Sequence, residues 1–466
     1  MTYAFTFDAR FCSGCKACQA ACKDKNNLPT GVLWRKVIEV SGGSWQQSGE
    51  AWTNSVFAYN LSIACNHCVH PKCAGICPAN AYIVREDGIV LLDETKCTGC
   101  GYCAWACPYG APQYNPDAGH MTKCNFCFDQ IDQGLPPSCV AACPLRVLDY
   151  RGTDSATISP PTEIRLWDVP SEMHPYPLPG YSHTQPRLAI KPHAAMNRSE
   201  EKYVANLEEI QPRLHSQWDD LPLVLFTILL QMAVGSYWAM TWMADTSSSL
   251  ILPSLLIGLL LGTGMLASLA HLGRKTRALN MLRNVRRSSL SKEILFVGLF
   301  GLGYLITTLA AVLLQRITFE AMAVTCILGI GLIYNMSQVY RFPAAPGWNT
   351  WRTNAGFMVS TLLLGLSIMT PIMMYSSNLS GLQATSNPWM IGSSILVLLL
   401  MQVSLMNKPV APSPLHRIRI GMILAGVTAS SRWMLEAASL WSAILVLLIV
   451  LIEEALGRWQ FYKSRI

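Results

Sequence analysis

The sequence predicts a chain in two parts, a small α+β domain followed by an all-α membrane domain. Sixteen of the 17 cysteines lie before residue 144, and the exception is Cys326. Long apolar runs, by contrast, begin only near Leu221. Charged residues make up 14% of the 466 residues, against about 25% in an ordinary soluble domain. A soluble, cysteine-rich part therefore precedes a part that crosses a membrane.

The early cysteines form four motifs of similar spacing. They read Cys12-x2-Cys15-x2-Cys18-x3-Cys22, Cys65-x2-Cys68-x4-Cys73-x3-Cys77, Cys97-x2-Cys100-x2-Cys103-x3-Cys107 and Cys124-x2-Cys127-x11-Cys139-x3-Cys143. Proline follows the last cysteine of all but the first motif. A [4Fe–4S] cluster needs four thiolates, and in such motifs three of them bind one cluster while the fourth binds a neighbouring cluster. The spacing therefore predicts four [4Fe–4S] clusters.

Two other uses of cysteine fit less well. Disulfide scaffolds belong to small secreted domains, and no signal peptide opens this chain. Zinc ribbons use two separated Cys-x2-Cys pairs, not runs of four that end in Cys-Pro.

Short stretches around the motifs indicate a ferredoxin-like layout. Residues 1–8 alternate and predict a strand that leads into the first motif. Residues 79–93 contain two β-rich runs joined through Asp87-Gly88, which predicts a hairpin between motifs two and three. A Cys-Pro, a hairpin and a fresh motif are the arrangement of a two-cluster ferredoxin.

That layout pairs the ligands, because motifs two and three then exchange their fourth cysteines and the outer motifs pair by elimination. The predicted ligand sets are site A (Cys12, Cys15, Cys18, Cys143), site B (Cys22, Cys124, Cys127, Cys139), site C (Cys65, Cys68, Cys73, Cys107) and site D (Cys77, Cys97, Cys100, Cys103). Sequential pairing, of motif one with two and of three with four, stays open as the alternative.

The predicted domains are 1–150 for the iron–sulfur part, 151–216 for an extension and 217–466 for the membrane part. The extension contains nine prolines and sustains no helical or strand period, so it is expected to be extended. The membrane part contains eight apolar segments, each near the twenty or so residues that cross a bilayer. They are 221–243, 251–272, 293–315, 318–340, 355–375, 388–406, 418–437 and 439–457.

The distribution of basic residues predicts the orientation. An even number of spans puts both ends of the membrane domain on one side. That side holds Arg274, Lys275, Arg277, Arg283, Arg286, Arg287 and Lys292 in the loop after the second segment, and also Arg341, Arg352, Lys408, Arg417, Arg458, Lys463 and Arg465. The other side has Arg316 and little else. The positive-inside rule therefore places the iron–sulfur domain and the C-terminus on the cytoplasmic side of a prokaryotic cell membrane. The basic loop could also dock an acidic partner; no nucleic-acid module is predicted from the net charge of +7.

Two ionisable residues mark a candidate quinone site. His271 ends the second segment and Glu293 begins the third. A quinone site must exchange protons, which a histidine with a carboxylate can do. The alternative is that both residues are ordinary interfacial groups, with Glu293 capping a helix. In the eighth segment, Glu454 and Arg458 are expected to pair locally, four residues apart.

Haem b needs axial histidines inside the spans, usually two per haem. Only His271 is well placed in a span. We therefore predict no haem b.

Taken together, these motifs resemble known subunits. The cysteine layout resembles the electron-transfer subunit of complex iron–sulfur molybdoenzymes, the group of dimethyl sulfoxide (DMSO) reductase, nitrate reductase and polysulfide reductase. The membrane part resembles the anchor subunit of DMSO reductase. The matching stretches are Ser268-Leu-Ala-His-Leu-Gly273, Arg277-Ala-Leu-Asn280, Ser289-Leu-Ser-Lys-Glu-Ile294, Val339-Tyr340 before a Pro-Gly-Trp loop, and Gly457-Arg458-x2-Phe461-Tyr462. The two parts are usually separate chains in that family, and here they are fused.

The resemblance implies a non-catalytic redox subunit of anaerobic respiration, with molybdopterin and substrate on a separate catalytic subunit. It implies that His271 and Glu293 serve a quinone or menaquinol site. It also implies that the cluster at site A faces the catalytic subunit and that the cluster at site D faces the quinone.

Two alternative functions follow from the same sequence. The predicted cytoplasmic orientation is that of membrane-bound sulfite dehydrogenases, in which electrons run into quinone instead of out of quinol. A ferredoxin-driven ion-translocating protein is the other alternative, but a pump should carry several charges deep in its spans, and here the charges cluster near span ends.

Overall fold

A computed structural model of the chain describes residues 2–153, 164–165, 184–197, 204–205, 221–243, 250–313, 319–380, 388–406, 414–435 and 439–463. Most of the predicted 151–216 extension lies outside these residues. The chain divides into two compact units. The first, called the cysteine-rich unit, comprises Met1–Ser216 and Gly273–Ser288. The second, called the membrane unit, comprises Gln217–Leu272 and Ser289–Ile466.

Short strands and helices build the cysteine-rich unit. The strands are β1 (Thr2–Asp8), β2 (Lys36–Gly42), β3 (Trp45–Ser48), β4 (Ala51–Asn54), β5 (Phe57–Ile63), β6 (Tyr82–Val84), β7 (Val90–Leu92), β8 (Gln113–Asn115), β9 (His120–Thr122), β10 (Leu148–Thr153), β11 (Ile164–Arg165), β12 (Leu188–Lys191) and β13 (Val204–Ala205). The helices are α1 (Ala17–Lys25), α2 (Lys72–Ile76), α3 (Tyr102–Ala106), α4 (Phe128–Ile131) and α5 (Ser138–Ala141), with a 3₁₀ turn at Ala194–Asn197.

The predicted N-terminal strand is confirmed and forms part of the core. β1 lies antiparallel to β10 and parallel to β12, in a four-stranded sheet of order β10-β1-β12-β11. β2 pairs with β13 and β5 in a second sheet. Phe5 of β1 stacks on Phe126 with ring centroids 4.2 Å apart. The chain before the first motif is thereby fixed to the chain after the fourth, through the β1–β10 pair.

The predicted hairpin between motifs two and three is also confirmed. β6 and β7 pair antiparallel, with Tyr82 opposite Leu92. The connecting turn has Gly88 at φ +79°, a conformation that glycine adopts at little cost. The Asp87 carboxylate accepts the backbone N–H of Ile89 at 3.0 Å and holds the turn. This hairpin separates the cysteines of motif two from those of motif three.

Among its described residues, the membrane unit contains eight long helices. The second and third are connected through a 3₁₀ segment, Lys275–Leu282, that belongs to the cysteine-rich unit. These eight helices are α6 (Leu221–Met243), α7 (Ile251–Ala270), α8 (Ser289–Leu313), α9 (Phe319–Gln338), α10 (Trp351–Ser380), α11 (Pro388–Leu405), α12 (Pro414–Leu435) and α13 (Leu440–Lys463). In the described ranges, seven of these are long and apolar enough to cross a membrane. The exception is α12, the predicted seventh span, which carries Arg417, Arg419 and Arg432. The predicted class, an α+β iron–sulfur part followed by an all-α membrane part, is confirmed.

Helices α6 and α10 form the centre of the membrane unit. Most of each is buried, whereas α8 and α13 are largely exposed along their apolar faces. Gly235 of α6 lies against Gly365 of α10, and a Cβ atom on Gly365 would collide with the Gly235 backbone. Small residues at a crossing let two backbones approach closely, as in other membrane helix pairs.

Buried polar groups in the membrane unit pair between helices. The Arg419 guanidinium of α12 lies 2.6 Å from the Glu453 carboxylate of α13. Glu454 accepts a hydrogen bond from Gln402 of α11, and Arg458 donates to Gln231 of α6 at 2.5 Å. The charge of Arg458 also acts on Glu454, so the two expected local neighbours have further partners on other helices. Such pairing lowers the cost of burying these groups.

Candidate functional site

Site A surrounds a cavity in the cysteine-rich unit. Cys12, Cys15, Cys18 and Cys143 all line this cavity. Burial raises the pKa of the Cys12 thiol, and the charges that raise it further are those of the other three cysteines. Four thiols from the first and last motifs thus converge on one space.

Site C has the same character. Its four cysteines line one cavity, together with Lys123. Burial raises the pKa of the Cys107 thiol to about 11, and the charge of Cys65 adds to the shift. Cys107 belongs to motif three and Cys65 to motif two, so the structure brings together thiols from the two motifs that a two-cluster ferredoxin would combine.

Site B combines the end of motif one with motif four. Burial raises the pKa of the Cys22 thiol to about 12, and the charges of Cys139 and Cys127 raise it further. Cys124 has Cys22 and Cys139 among its charged neighbours. The backbone N–H of Phe126 lies 3.4 Å from the Cys124 sulfur and points to it.

Site D combines the end of motif two with motif three. Burial raises the pKa of the Cys100 thiol to about 12, with Cys77 and Cys97 as charged neighbours. Cys103 has these same three cysteines as neighbours. The backbone N–H of Ala81 donates to the Cys77 sulfur at 3.4 Å. Each predicted ligand set is therefore gathered in one place, and its role as a ligand set stays a prediction.

The sites follow one another in the order A, B, C, D. Cys18 of site A has Cys139 of site B as an electrostatic neighbour, and Cys124 of site B has Cys65 of site C. Between sites C and D lies Tyr82, which neighbours Cys73 of site C and Cys103 of site D. The described residues thus form a continuous row of thiol groups through the cysteine-rich unit.

Two buried cations lie beside the thiol groups, and no pattern in the sequence predicted either of them. Arg35 is 2% exposed and Lys123 is 4% exposed. Among the described residues, neither forms an ion pair with a carboxylate. A buried cation without a counter-charge is costly. Thiolates that hold an iron–sulfur cluster would supply that charge, so the donor set and its surroundings fit [4Fe–4S] clusters.

The loop that connects α7 to α8 packs on site D within the cysteine-rich unit. The Arg274 backbone N–H donates to the Thr98 carbonyl at 3.0 Å, inside the Cys97–Cys100 turn. The Arg274 and Arg277 guanidinium groups both donate to the Glu94 carbonyl, at 2.7 and 2.8 Å. The loop thereby clamps the backbone that leads into motif three.

The same loop reaches the fourth cysteine of motif two. Asn284 Nδ2 donates to the Cys77 carbonyl at 2.9 Å. At the start of the loop, Gly273 packs against Gly119 and Tyr114. A Cβ atom on Gly273 would collide with the Gly119 carbonyl oxygen and would lie only 2.7 Å from the Tyr114 hydroxyl. The loop whose basic residues predicted the membrane orientation therefore also contacts the backbone at site D.

The structure places Glu293 inside the membrane unit. Helix α8 begins at Ser289, so Glu293 lies in its second turn and does not cap it. The side chain is 2% exposed, and Oε1 has no hydrogen-bond partner among the described residues. Burying a carboxylate oxygen without a hydrogen-bond partner costs free energy. A bound ligand that donates a hydrogen bond, or protonation of the carboxylate, would reduce that cost.

Two tyrosines lie within electrostatic range of Glu293. The hydroxyl groups of Tyr340 and Tyr462 are 2.6 Å apart, and both phenols interact electrostatically with the Glu293 carboxylate. Trp348 packs at their edge and donates its indole N–H to the Phe461 carbonyl at 2.7 Å. Both tyrosines occur in the stretches that carry the family resemblance, but no sequence signal predicted that they meet.

His271 lies directly after α7 and is half-buried. Its backbone is helical, at φ −71° and ψ −22°. Gly273, two residues later, already belongs to the loop that packs on site D.

Comparisons with known proteins agree with this geometry. Residues 56–152 match the family model of a 4Fe-4S dicluster domain. Residues 214–452, about half of the chain, match the model of the DMSO reductase anchor subunit (DmsC). The chain belongs to the DMSO reductase anchor subunit family. Unlike a separate anchor subunit, this member of the family carries an iron–sulfur part ahead of the anchor.

That iron–sulfur part has relatives of its own. It is 44% identical over 212 residues to the B subunit of anaerobic DMSO reductase from Escherichia coli (strain K12), a match that covers 45% of this chain and 98% of that protein. It is 36% identical over 173 residues to the thiosulfate reductase electron transfer subunit of Salmonella typhi, covering 37% of this chain and 84% of that protein. It is also 36% identical over 176 residues to the formate dehydrogenase iron–sulfur subunit of Wolinella succinogenes, a match that covers 33% of this chain and 83% of that protein.

The predicted class of function is thereby confirmed. The chain is an electron-transfer and membrane-anchor subunit of an oxidoreductase complex. It contains a [4Fe–4S] dicluster domain and a multi-pass membrane domain.

Proposed function

We propose that this subunit carries electrons between membrane quinone and a separate molybdopterin-containing subunit, through four [4Fe–4S] clusters held at sites A to D. The observation that supports it most is the continuous order of the four thiol groups, with Tyr82 between sites C and D. The sixteen cysteines would hold the clusters, which supply one-electron transfer when bound. Of the sixteen cysteines, ten are buried, five are half-buried and Cys15 of site A is exposed, so most of the ligand positions are shielded from water.

Site D is the proposed end of this row on the quinone side. The loop that packs on it starts two residues after His271 and ends five residues before Glu293 along the chain. The loop residues Arg274 and Asn284 bond to the backbone carbonyls of Glu94, just before motif three, and of Cys77 in site D. Site A, at the other end of the row, is then the side for the catalytic partner.

Glu293 and His271 are proposed to serve the quinone. Oxidation of a quinol releases two electrons and two protons, and the protein must accept the protons as the electrons leave. Glu293 is buried and has a carboxylate oxygen without a hydrogen-bond partner among the described residues, which suits a proton acceptor. The Tyr340–Tyr462 pair beside it can donate or relay a hydrogen bond. His271 is proposed to contact the second quinone oxygen.

The substrate chemistry is proposed to lie on the partner. The relatives named above belong to a DMSO reductase, a thiosulfate reductase and a formate dehydrogenase, so closely related iron–sulfur chains are used with different substrates. The partner is proposed to carry molybdopterin, as the family resemblance implies, and to define the substrate.

Metal analysis tests the partner. The complex is purified anaerobically from its native membrane through a tag on this chain, and its molybdenum, tungsten and iron contents are measured. We expect molybdenum or tungsten in stoichiometric amounts, together with a co-purifying catalytic chain. Full iron without either metal would contradict the molybdopterin partner and leave a quinone-linked ferredoxin module that serves another enzyme.

A second candidate is the same architecture run in reverse, as a cytoplasm-facing sulfite dehydrogenase that reduces quinone. It is favoured by the basic residues, which predict that the iron–sulfur part lies on the cytoplasmic side.

Reporter fusions test this orientation. A green fluorescent protein fused to the C-terminus should fluoresce, and alkaline phosphatase fused there should stay inactive, because only the cytoplasm supports the first and only the periplasm the second. An active phosphatase would contradict the cytoplasmic orientation and favour the DMSO reductase direction, from quinol to an external acceptor.

A further inference from the structure

We propose that Arg35 sets the reduction potentials of the clusters at sites A and B, through its buried charge and through the Ser62 hydroxyl that it orients. The inference rests on the proposed function, since it requires that both sites hold clusters. It assigns to one side chain outside all four motifs a role in the energetics of electron transfer.

The charge of Arg35 lies between the two sites. The cysteines whose charge would act on it most are Cys139 and Cys124 of site B and Cys18 of site A, followed by Cys22 of site B. These charges raise the pKa of the guanidinium although its burial acts against them. Among the described residues no carboxylate neutralises it, and its Nε and Nη2 have no hydrogen-bond partner. The thiolate groups are therefore the only counter-charge that this part of the structure offers.

A fixed cation acts strongly on redox groups in such a place. Reduction of a [4Fe–4S] cluster adds one electron and no proton, so the cluster becomes more negative. A buried cation stabilises that added charge, and its field is weakly screened in a low-dielectric interior. Arg35 should therefore raise the potentials of both neighbouring clusters. Arginine suits the task because it stays protonated under all physiological conditions.

A hydrogen-bond relay adds a second effect at site A. Arg35 Nη1 donates to Ser62 Oγ at 3.1 Å and to the Ser62 carbonyl at 3.3 Å. Since arginine can only donate, Ser62 Oγ accepts this bond and its own hydrogen is available for the Cys18 sulfur, 3.4 Å away. A hydrogen bond donated to a ligand sulfur raises the potential of its cluster. The relay touches site A alone.

The position of the guanidinium is well defined. Its carbon lies 4.5 Å from the centre of the Phe5 ring, a cation–π contact with β1. Arg35 itself directly precedes β2, which pairs with β5, the strand that carries Ser62. The core of the unit therefore holds both members of the relay.

The experiment is a redox titration of the whole complex, followed by EPR, with three variants. Arg35→Met removes the charge and keeps most of the volume, and Ser62→Ala removes the hydroxyl alone. Arg151→Met, at an exposed arginine of β10 in the same unit, is the matched control for loss of a positive charge. Signals are assigned to sites with single Cys→Ser variants of each ligand set.

Arg35→Met should shift the signals of sites A and B to more negative potentials and leave those of C and D in place. Ser62→Ala should shift site A only, and Arg151→Met should shift none. Arg35→Lys, which keeps the charge, should restore site B. Unchanged potentials in Arg35→Met with full iron would overturn the proposal. If the Arg35→Met complex does not assemble, the Ser62→Ala variant tests the proposal instead. An unchanged potential of the site A cluster in Ser62→Ala would also overturn the proposal. Wild-type complex without iron at sites A and B would instead contradict the proposed function.

Discussion

Replacement of Glu293 by glutamine, or of His271 by alanine, is expected to abolish electron exchange with quinone while the complex stays assembled. Glutamine keeps the size of Glu293 and removes its capacity to take a proton. A positioned acid or base contributes about 10²- to 10⁴-fold to a rate, so the loss of quinol-linked turnover should be at least about a hundredfold. The measurement is the reduction of the catalytic subunit's substrate with a quinol analogue, and in parallel with a reduced viologen dye.

The dye separates a quinone defect from a general one. Dye electrons enter the iron–sulfur part without the quinone site, so dye-linked activity and the EPR signals should be unchanged in both variants. Glu320→Gln, at an exposed carboxylate in the first turn of α9, is the matched control for Glu293, and His416→Ala is the control for His271. Normal quinol-linked turnover in Glu293→Gln or His271→Ala would remove that residue from the site.

The tyrosine pair gives a graded outcome at the same site. Tyr462→Phe removes one hydroxyl and leaves that of Tyr340 without its 2.6 Å partner, in a buried place. A smaller decrease than in Glu293→Gln is expected if the pair positions the quinone or relays a proton. If the pair only stabilises packing, the thermal stability of the variant falls and its affinity for quinol stays unchanged.

These expectations also show where sequence reasoning succeeds. The four cysteine motifs, the hairpin at Asp87-Gly88 and the strand at residues 2–8 are encoded by neighbours within a few positions, and the structure contains each of the local elements. The spacing between cysteines restricts the geometry directly, because the cysteines of one short loop can reach around only one cluster. Local patterns of this kind therefore define both the fold class and the thiol groups.

Groups that meet across long sequence distances escaped prediction. Tyr340 and Tyr462 are separated by 122 positions, and Arg35 and Ser62, which meet at the paired strands β2 and β5, are separated by 27. Glu454 and Arg458 fit a local helical pair, and the membrane unit also gives each a hydrogen-bond partner on another helix, Gln402 and Gln231, that no local pattern predicts. In a membrane the cost of burying a charge is met by whichever polar group the packing of helices brings near, and one sequence does not reveal that packing.

The spans were predicted well in number and less well at their ends. Helix α8 starts at Ser289 and α10 at Trp351, four residues before the apolar segments that predict them. Hydropathy does not register a polar first turn, although the backbone there is already helical. The earlier helix start changes the interpretation of Glu293, because the residue then lies in the second turn of α8 and not at its N-terminal cap.

The largest effect in the cysteine-rich unit is expected from Cys100→Ser. Serine replaces one of the four thiols of site D, so the EPR signal of that cluster should be lost or changed, and quinol-linked turnover should stop because site D is the proposed end on the quinone side. The signals of sites A and B should persist, since their cysteines lie elsewhere in the row. Cys326→Ser, in helix α9 of the membrane unit, is the matched control and should alter no signal.

A second variant distinguishes the two ways of pairing the motifs. In the nested pairing Cys143 belongs with Cys12, so Cys143→Ser should change a different signal from Cys100→Ser. In the sequential pairing of motifs three and four, Cys143 would complete the set of Cys97, Cys100 and Cys103, and the two variants would change the same signal. The structure places Cys143 in the cavity of Cys12, Cys15 and Cys18, which favours two different signals. One shared signal would refute the ligand sets, and with them the order of sites on which the proposed electron path depends.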